Sequence, residues 1–339
     1  MRILAVTNCY PTVERPAQGT FIEQQIKSLR HAGLTVEVLT VDRANLGYSA
    51  YRGLGRRVQA EAAKYDVDLI HVMYGGVMAQ AVLKAPRNFP VVISFCGSDL
   101  LGENLPGMLR KLAVAYGVRC SRFAARNADG VIVKSKNLQE ALLSTLDASD
   151  MRVIPNGVDL NRFKPMEAID CRQKLGWNSD RFHVLFPANS GSPCKRFWLS
   201  EAAVKVATRL GVPVQLHRLQ GVKHEDVPVW LNASDCLILS SEHEGSPNIV
   251  KEALACNRPV ISVDVGDVAE RIAGICGCYL SEPTAEALGE SLDKAYRAPQ
   301  ALESRCRMKD LSLESVATDV ISFYRHVIDR WHVQHGQRL

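Results

Sequence analysis

A chain of 339 residues that is 47% hydrophobic and 23% charged carries enough apolar material for two buried cores rather than one. No run of about 18 apolar residues occurs, which argues against a membrane-spanning helix; aromatic residues make up only 6% and do not cluster with basic ones, which argues against nucleic-acid binding. The net charge of +5 is uneven: residues 1–165 hold 21 Lys and Arg against 14 Asp and Glu (+7), leaving 20 against 22 (−2) for 166–339.

A basic first half suits an anionic partner surface, and equally a solvated basic face. The N-terminus opens on a strand-like run, Arg2–Thr7, without the layout of a signal peptide. Ten cysteines are scattered with no CxxC pair, which fits reduced thiols in a cytoplasmic protein.

Along the chain, short apolar β-branched runs alternate with longer helical patterns. Strands are predicted at Ile3–Thr7, Val36–Thr40, Leu69–Val72, Val91–Phe95, Gly130–Val133 and Arg152–Ile154. A second series follows at Val184–Pro187, Val214–Leu216, Cys236–Leu239 and Val260–Val263. Helices are predicted at Phe21–His31, Met108–Arg126, Leu199–Arg209, Ala285–Arg297 and Leu313–Trp331. Such alternation builds parallel sheets through right-handed crossovers. The expected architecture is α/β, with two doubly wound Rossmann-like domains. Pro165 interrupts the pattern, so the domains are placed at 1–165 and 166–312, with 313–339 as a helix packing back across the junction. Ligands of such sheets sit beyond the carboxyl ends of the strands.

The segment Ser240–Leu254 follows a predicted strand and enters a helix. Gly245 and Ser246 suit the turn, and Pro247 suits the first helical turn. A helix N-terminus there offers free N–H groups and a positive dipole end, a place for a diphosphate. Glu244 and Glu252 flank it and can accept hydrogen bonds from sugar or ribose hydroxyls. The pair alone fits equally a carboxylate favouring the dipole and a solvent-facing helix Glu.

In its wider setting this segment resembles glycosyltransferase family 4, whose hallmark is a Glu, seven residues and a second Glu; Glu244 and Glu252 have that spacing. Gly19-Thr-Phe21 is similar to the family's glycine loop, Val153–Asp159 with Phe163 and Pro165 to its interdomain segment, and Asp264-Val-Gly-Asp267 to its later tail. The branch most similar includes teichuronic-acid and other cell-surface polysaccharide transferases.

The resemblance implies a GT-B fold, with the two domains facing a central cleft, and a retaining, metal-independent hexosyltransferase. Its donor would be a UDP- or GDP-linked sugar, a substrate rather than a cofactor, and its acceptor a glycan or lipid-linked sugar. Glu244 with the backbone of Gly245, Ser246 and Pro247 would hold the donor sugar. Asn248 and Ile249 N–H groups would face the diphosphate, and Glu252 would bind the ribose. Lys195, with Arg196 beside it, would neutralise leaving-group charge in place of a metal; an exposed basic pair before a helix is the plainer alternative. Gly19 and Asn189 join the donor-binding set. Departures are Ala188-Asn189, where the family commonly has Gly-Arg, and Ser246-Pro247 in place of an aromatic-Gly pair.

In the first half, Ser94–Leu100 follows a predicted strand and should open toward the site. Relatives often have a His where this chain has Cys96, which leaves Cys96 a catalytic-region candidate or a small pocket-lining group. Asp99 is expected to bind a sugar or acceptor hydroxyl, or to cap a helix. His71 and Tyr74 are acceptor-side candidates; a structural histidine is the alternative for His71. Asp66-Val-Asp68 spells a DxD motif but precedes its strand, so no metal site is expected. The helix Met108–Arg126 is apolar and basic; it fits an ordinary packed helix with a solvated basic face, and, through the resemblance to enzymes with lipid-linked acceptors, contact with an anionic membrane at the inner face of the cytoplasmic membrane. Two alternatives stay open: a non-catalytic nucleotide-sugar-binding scaffold, and another GT-B enzyme such as a sugar-nucleotide epimerase.

Overall fold

The computed structural model describes residues 1–12, 15, 18–143, 150–188, 193–298 and 303–336. The chain divides into two compact units, Met1–Gly157 with Leu313–Leu339, and Val158–Ser312.

The first unit alternates strand and helix: β1 (Arg2–Thr7), α1 (Thr20–His31), β2 (Thr35–Thr40), α2 (Arg43–Leu46), α3 (Leu54–Tyr65), β3 (Leu69–Val72), α4 (Gly76–Leu83), β4 (Val91–Phe95), α5 (Ser98–Leu101), α6 (Met108–Asn127), β5 (Gly130–Val133), α7 (Lys136–Leu143) and β6 (Met151–Val153). The strands form one parallel sheet in the order β2-β1-β3-β4-β5-β6. Every residue of β3, β4 and β5 is buried, as expected of strands covered on two faces.

Alternation along β1 divides the covering. Ile3 and Ala5 pack with Ile22, Ile26 and Leu29 of α1 on one face. Leu4 and Val6 pack with Val58, Met78 and Val82 of α3 and α4 on the other. Gly19 caps α1 in the left-handed region at φ 69°, where an added Cβ would lie 2.1 Å from the Cys9 carbonyl oxygen. Only glycine allows that approach.

The second unit runs α8 (Ala168–Leu175), β7 (Phe182–Pro187), α9 (Phe197–Arg209), β8 (Val214–Leu219), α10 (Val227–Ala233), β9 (Cys236–Leu239), α11 (Asn248–Ala255), β10 (Val260–Val263), α12 (Val268–Ile272), β11 (Tyr279–Ser281) and α13 (Ala285–Arg297). Its parallel sheet has the order β11-β10-β9-β7-β8. The sequence expectation omits β11, a three-residue strand with no buried position. The helix α14 (Leu313–Gln334) then returns to the first unit, where Val316, Val320, Phe323, Tyr324 and Val327 join the face covered by α1.

Strand order fixes where each sheet reverses direction of winding. In the first unit, β2 and β3 lie on opposite sides of β1; in the second, β8 and β9 lie on opposite sides of β7. The loops after β1 and β3, and after β7 and β9, therefore diverge and leave crevices, the usual ligand positions in such sheets.

Candidate functional site

In the second unit the loop after β7 ends in a 3-10 turn, Pro193–Lys195, and the loop after β9 leads into α11. They meet across the switch point. Lys195 Nζ donates to Glu244 Oε1 at 2.5 Å, and Ser241 Oγ donates to the same oxygen at 2.7 Å. The loops are joined elsewhere by backbone. Glu242 N–H donates to the Cys194 carbonyl at 2.7 Å. Ser240 Oγ lies 3.0 Å from the carbonyls of Lys195 and Arg196.

Arg196 sits in the left-handed region at φ 48°. Its guanidinium donates to the carbonyl oxygens of Ser240 at 2.6 Å and Ser241 at 2.8 Å. Arg196 therefore clamps the end of β9 while also lining a cavity of about 380 Å³ with Glu242, Asp264 and Glu282. Asn189 lies outside the described residues.

Pro247 is the cap of α11 rather than a residue of its first turn, so the helix begins at Asn248, followed by Ile249. The turn before it is held by a buried charge network. Ser246 Oγ donates to Asp267 Oδ2 at 2.9 Å and accepts from Lys251 Nζ at 3.0 Å; Arg271 Nε donates to the same Asp267 oxygen at 2.8 Å. Gly266, at φ 60°, lies so close to this turn that an added Cβ would be 2.6 Å from the Gly245 carbonyl oxygen. Burying such a charge network requires that its members satisfy one another, which makes the turn rigid. As at any helix start, the first N–H groups of α11 have no partner within the helix, and α11 begins four residues after Glu244, in the loop that leaves the carboxyl edge of the sheet.

Glu252 lies in the second turn of α11 and is 7% exposed. Its Oε1 is 3.1 Å from His224 Nε2, and Arg162 Nη1 is 2.9 Å from His224 Nδ1. Because Arg can only donate, His224 accepts at Nδ1 and donates through Nε2–H to Glu252. His224 and Arg162 are absent from the sequence reading; His224 follows β8, and its place after a strand was the available signal.

In the first unit a cavity of about 390 Å³ opens beyond the carboxyl ends of β1 and β3. Asn8, Tyr48, Tyr51, Tyr74, Ser98, Asp99 and Arg110 line it. This mixture of aromatic faces and hydrogen-bonding groups suits a hydroxylated ligand. Tyr74 Oη lies 3.0 Å from Ser98 Oγ, and burial raises its pKa.

Asp99 is 6% exposed and accepts from the backbone N–H groups of Gly75 at 2.8 Å, Cys96 at 3.0 Å and Gly97 at 2.8 Å. Burial raises its pKa against those lowering bonds. Its carboxylate thus ties the loop after β4 to the loop after β3, at the cavity wall. Desolvation pushes the Cys96 thiol up to about 12, with the Asp99 charge adding to the effect. Cys96 is therefore a neutral thiol at ordinary pH, unsuited to nucleophilic attack.

His71 does not reach the cavity lining. It is 1% exposed, with Nε2 2.8 Å from Ser94 Oγ and Nδ1 2.5 Å from Tyr324 Oη. Burial, then the Lys134 charge, lowers its pKa to about 3. It is a neutral tie between β3, β4 and α14. Asp68 accepts from Arg2 N–H at 2.7 Å, and Asp66 from the Arg2 guanidinium at 2.9 Å, both at the amino end of the sheet.

The α6 helix is buried at Cys120, Ser121, Ala124 and Ala125, toward its C-terminal end. Its first turns are not: Met108 is 74% exposed, Leu109 83%, Leu112 59% and Tyr116 53%. Arg110, Lys111, Arg119, Arg122 and Arg126 are exposed on the same helix. Among the described residues, no helix is long and apolar enough to cross a membrane.

Comparison with known proteins adds the family. A family model described as Glycosyltransferase Family 4 matches residues 18–162, and one described as Glycosyl transferases group 1 matches residues 198–297. A Bacillus subtilis (strain 168) protein assigned to teichuronic acid biosynthesis as the glycosyltransferase TuaC is 27% identical, over 87% of this chain and 89% of that one. Sucrose-phosphate synthase from Thermosynechococcus elongatus superposes with a TM-score of 0.77 at 18% identity, covering 97% of this chain and 100% of that one. Anabaena HepE, solved with UDP-glucose, superposes with a TM-score of 0.65 at 18% identity, covering 98% and 100%. Likeness at such identities speaks to the fold, which is the two-domain Rossmann-like GT-B fold.

Proposed function

We propose that this chain, matched by the Glycosyltransferase Family 4 and Glycosyl transferases group 1 models and similar to TuaC, is a family 4 glycosyltransferase that transfers a hexosyl unit, with retention of configuration, from a UDP- or GDP-linked sugar to an acceptor in cell-surface polysaccharide or glycolipid synthesis. The observation that carries this reading is the meeting of Lys195, Glu244 and the start of α11 at the β7/β9 switch point. Anionic diphosphate is the ligand such a place suits, since a lysine and a helix N-terminus both favour negative charge. HepE crystallised with UDP-glucose supports a nucleotide-sugar donor, and the similarity to TuaC supports a cell-surface product.

In the transfer, the bond between the sugar's anomeric carbon and the diphosphate oxygen breaks. The nucleoside diphosphate leaves, and the acceptor oxygen gains the sugar as its hydroxyl loses a proton. Charge grows on the leaving diphosphate, so the groups facing it matter most in the transition state. Lys195 and the Asn248 and Ile249 N–H groups fill that role without a metal, and Arg196 holds the loop that presents them. Glu244 fixes the Lys195 ammonium and accepts from a sugar hydroxyl. Glu252 accepts from the ribose hydroxyls and is kept oriented by His224. Gly19, Gly245, Ser246 and Pro247 shape the donor's surroundings. On the acceptor side, the cavity walled by Tyr74 and Asp99 takes a glycan or lipid-linked sugar, and Cys96 is a small neutral neighbour.

A thermal-shift screen with UDP, GDP, ADP and their sugar conjugates tests the donor. A ligand at about 100 times its Kd adds roughly 2.7 kcal/mol to the folded state. One nucleotide family should respond, and nucleotide release should require an acceptor. Silence from all of them overturns the donor reading; binding without turnover replaces it with a scaffold.

The exposed apolar residues at the start of α6, flanked by basic ones, support a second reading: peripheral contact with an anionic membrane, at the inner face of the cytoplasmic membrane. Sedimentation with phosphatidylglycerol-containing vesicles, but not with purely zwitterionic ones, is the expected result. Equal recovery with the two vesicle types removes the reading.

A further inference from the structure

The loops that carry Lys195 and Glu244 also bring together a second group that the transfer reaction does not use. Cys194, Glu242 and His243 place their ligand atoms within 4.8 Å of one another. Cys194 Sγ lies 3.4 Å from His243 Nδ1. Zinc bonds of about 2.3 Å to sulfur and about 2.0 Å to nitrogen, opened at the tetrahedral angle, set these atoms about 3.5 Å apart. Sγ is also 3.6 Å from Nε2, so the sulfur faces the ring at about ligand-to-ligand distance, and a turn of the imidazole aims one nitrogen at an ion shared with it. The backbone bond from Glu242 N–H to the Cys194 carbonyl holds the two sides of the group in place. A thiol beside an imidazole is a ligand pair that soft divalent ions select.

We propose that Cys194, His243 and Glu242 form a binding site for a soft divalent cation of the zinc class, which joins the loop after β7 to the loop after β9. The three side chains supply sulfur, nitrogen and oxygen, and a water or anion takes the fourth position. Coordination replaces the Cys194 Sγ proton and any proton on His243 Nδ1, which leave to solvent; no electrons move. Because Lys195 and Glu244 sit next in sequence to Cys194 and His243, a bound ion cross-links the loops around that pair. The ion is regulatory or stabilising rather than part of the transfer, so its binding is measurable whether or not the donor reading holds.

Cobalt(II) is the probe, added to untagged full-length protein in which the exposed Cys276 and Cys306 are replaced, C276S and C306S, to remove competing surface thiols. One equivalent should produce a near-ultraviolet thiolate-to-cobalt band and visible bands of tetrahedral intensity, and one equivalent of zinc should bleach them. Adding Cys194→Ser should abolish the charge-transfer band. Adding His243→Gln instead should keep the thiol and weaken cobalt binding at least tenfold, about the lower bound for loss of an outer-shell partner alone. No band, or a band that survives Cys194→Ser, overturns the proposal. If Cys194→Ser does not fold, as judged by circular dichroism, His243→Gln decides: unchanged cobalt affinity in that variant also overturns it.

Discussion

Lys195→Ala separates the two things that a cation near a diphosphate can do. If Lys195 meets charge that develops as the sugar leaves, its removal lowers kcat far more than it weakens nucleotide binding. Loss of one preorganised donor to developing negative charge costs about 10²–10³ in kcat, or ~2.7–4 kcal/mol. The structure places this case near the lower end. Lys195 is already paired with Glu244 at 2.5 Å, so part of its field is cancelled before substrate arrives. The expectation is therefore a kcat reduced about a hundredfold, with nucleotide Kd raised less than about tenfold. Folding should be little affected. The pair is partly exposed, 24% and 16%, and such pairs contribute about 0–1 kcal/mol. The Lys195 carbonyl keeps its Ser240 hydroxyl, and Glu244 keeps its Ser241 bond, whatever the side chain at 195. Kinetics of nucleoside diphosphate release over a range of donor concentrations, beside nucleotide titrations, give the two quantities separately. A kcat within about threefold of wild type, or a loss confined to Kd, refutes the leaving-group role.

Glu252→Ala should raise nucleotide Kd about 10- to 100-fold, the loss of charge-assisted hydrogen bonds worth ~1.5–3 kcal/mol, while leaving the circular dichroism spectrum intact; an unchanged Kd in calorimetric titration removes Glu252 from the ribose. Gly266→Ala forces a Cβ to 2.6 Å from the Gly245 carbonyl at a left-handed φ. The strain, about 1–3 kcal/mol, should appear as a lowered urea midpoint together with weaker nucleotide binding, because the turn before α11 must shift; a midpoint equal to wild type contradicts the packing. His71 has its pKa lowered from 6.5 to about 3 in the fold, so the folded state resists the proton that the unfolded chain accepts. Its contribution to stability is complete above pH 6.5 and is lost as pH falls toward 3. At pH 5 the loss reaches about 2 kcal/mol. His71→Gln should flatten the stability difference between pH 7.5 and pH 5 by about that amount in urea unfolding; parallel pH profiles for the two proteins would falsify the assignment.

Local chemistry made most of the fold readable, and sheet order decided what was not. The β9 strand, Cys236–Leu239, occupies the predicted residues because four buried apolar positions between polar neighbours allow little else. Strand β11 escaped notice because three half-exposed residues leave no such pattern. At the site, Glu244 was legible as a carboxylate between a strand and a helix, and Lys195 through the family resemblance. Their 2.5 Å approach across 49 positions was not, since it requires β9 to lie beside β7. The same holds for Arg196, read as the cation beside Lys195 at the diphosphate or as half of an exposed basic pair, and found bound to the carbonyls of Ser240 and Ser241. Asp99 was expected to serve a ligand or cap a helix, and its carboxylate meets three backbone amides from two loops. Sequence thus indicates which residue types stand at the carboxyl edge of a sheet; the partner each finds there depends on which strands are neighbours. His224 shows the consequence: nothing local links it to Glu252, and only the placement of β8 beside β7 sets the imidazole between Arg162 and that carboxylate.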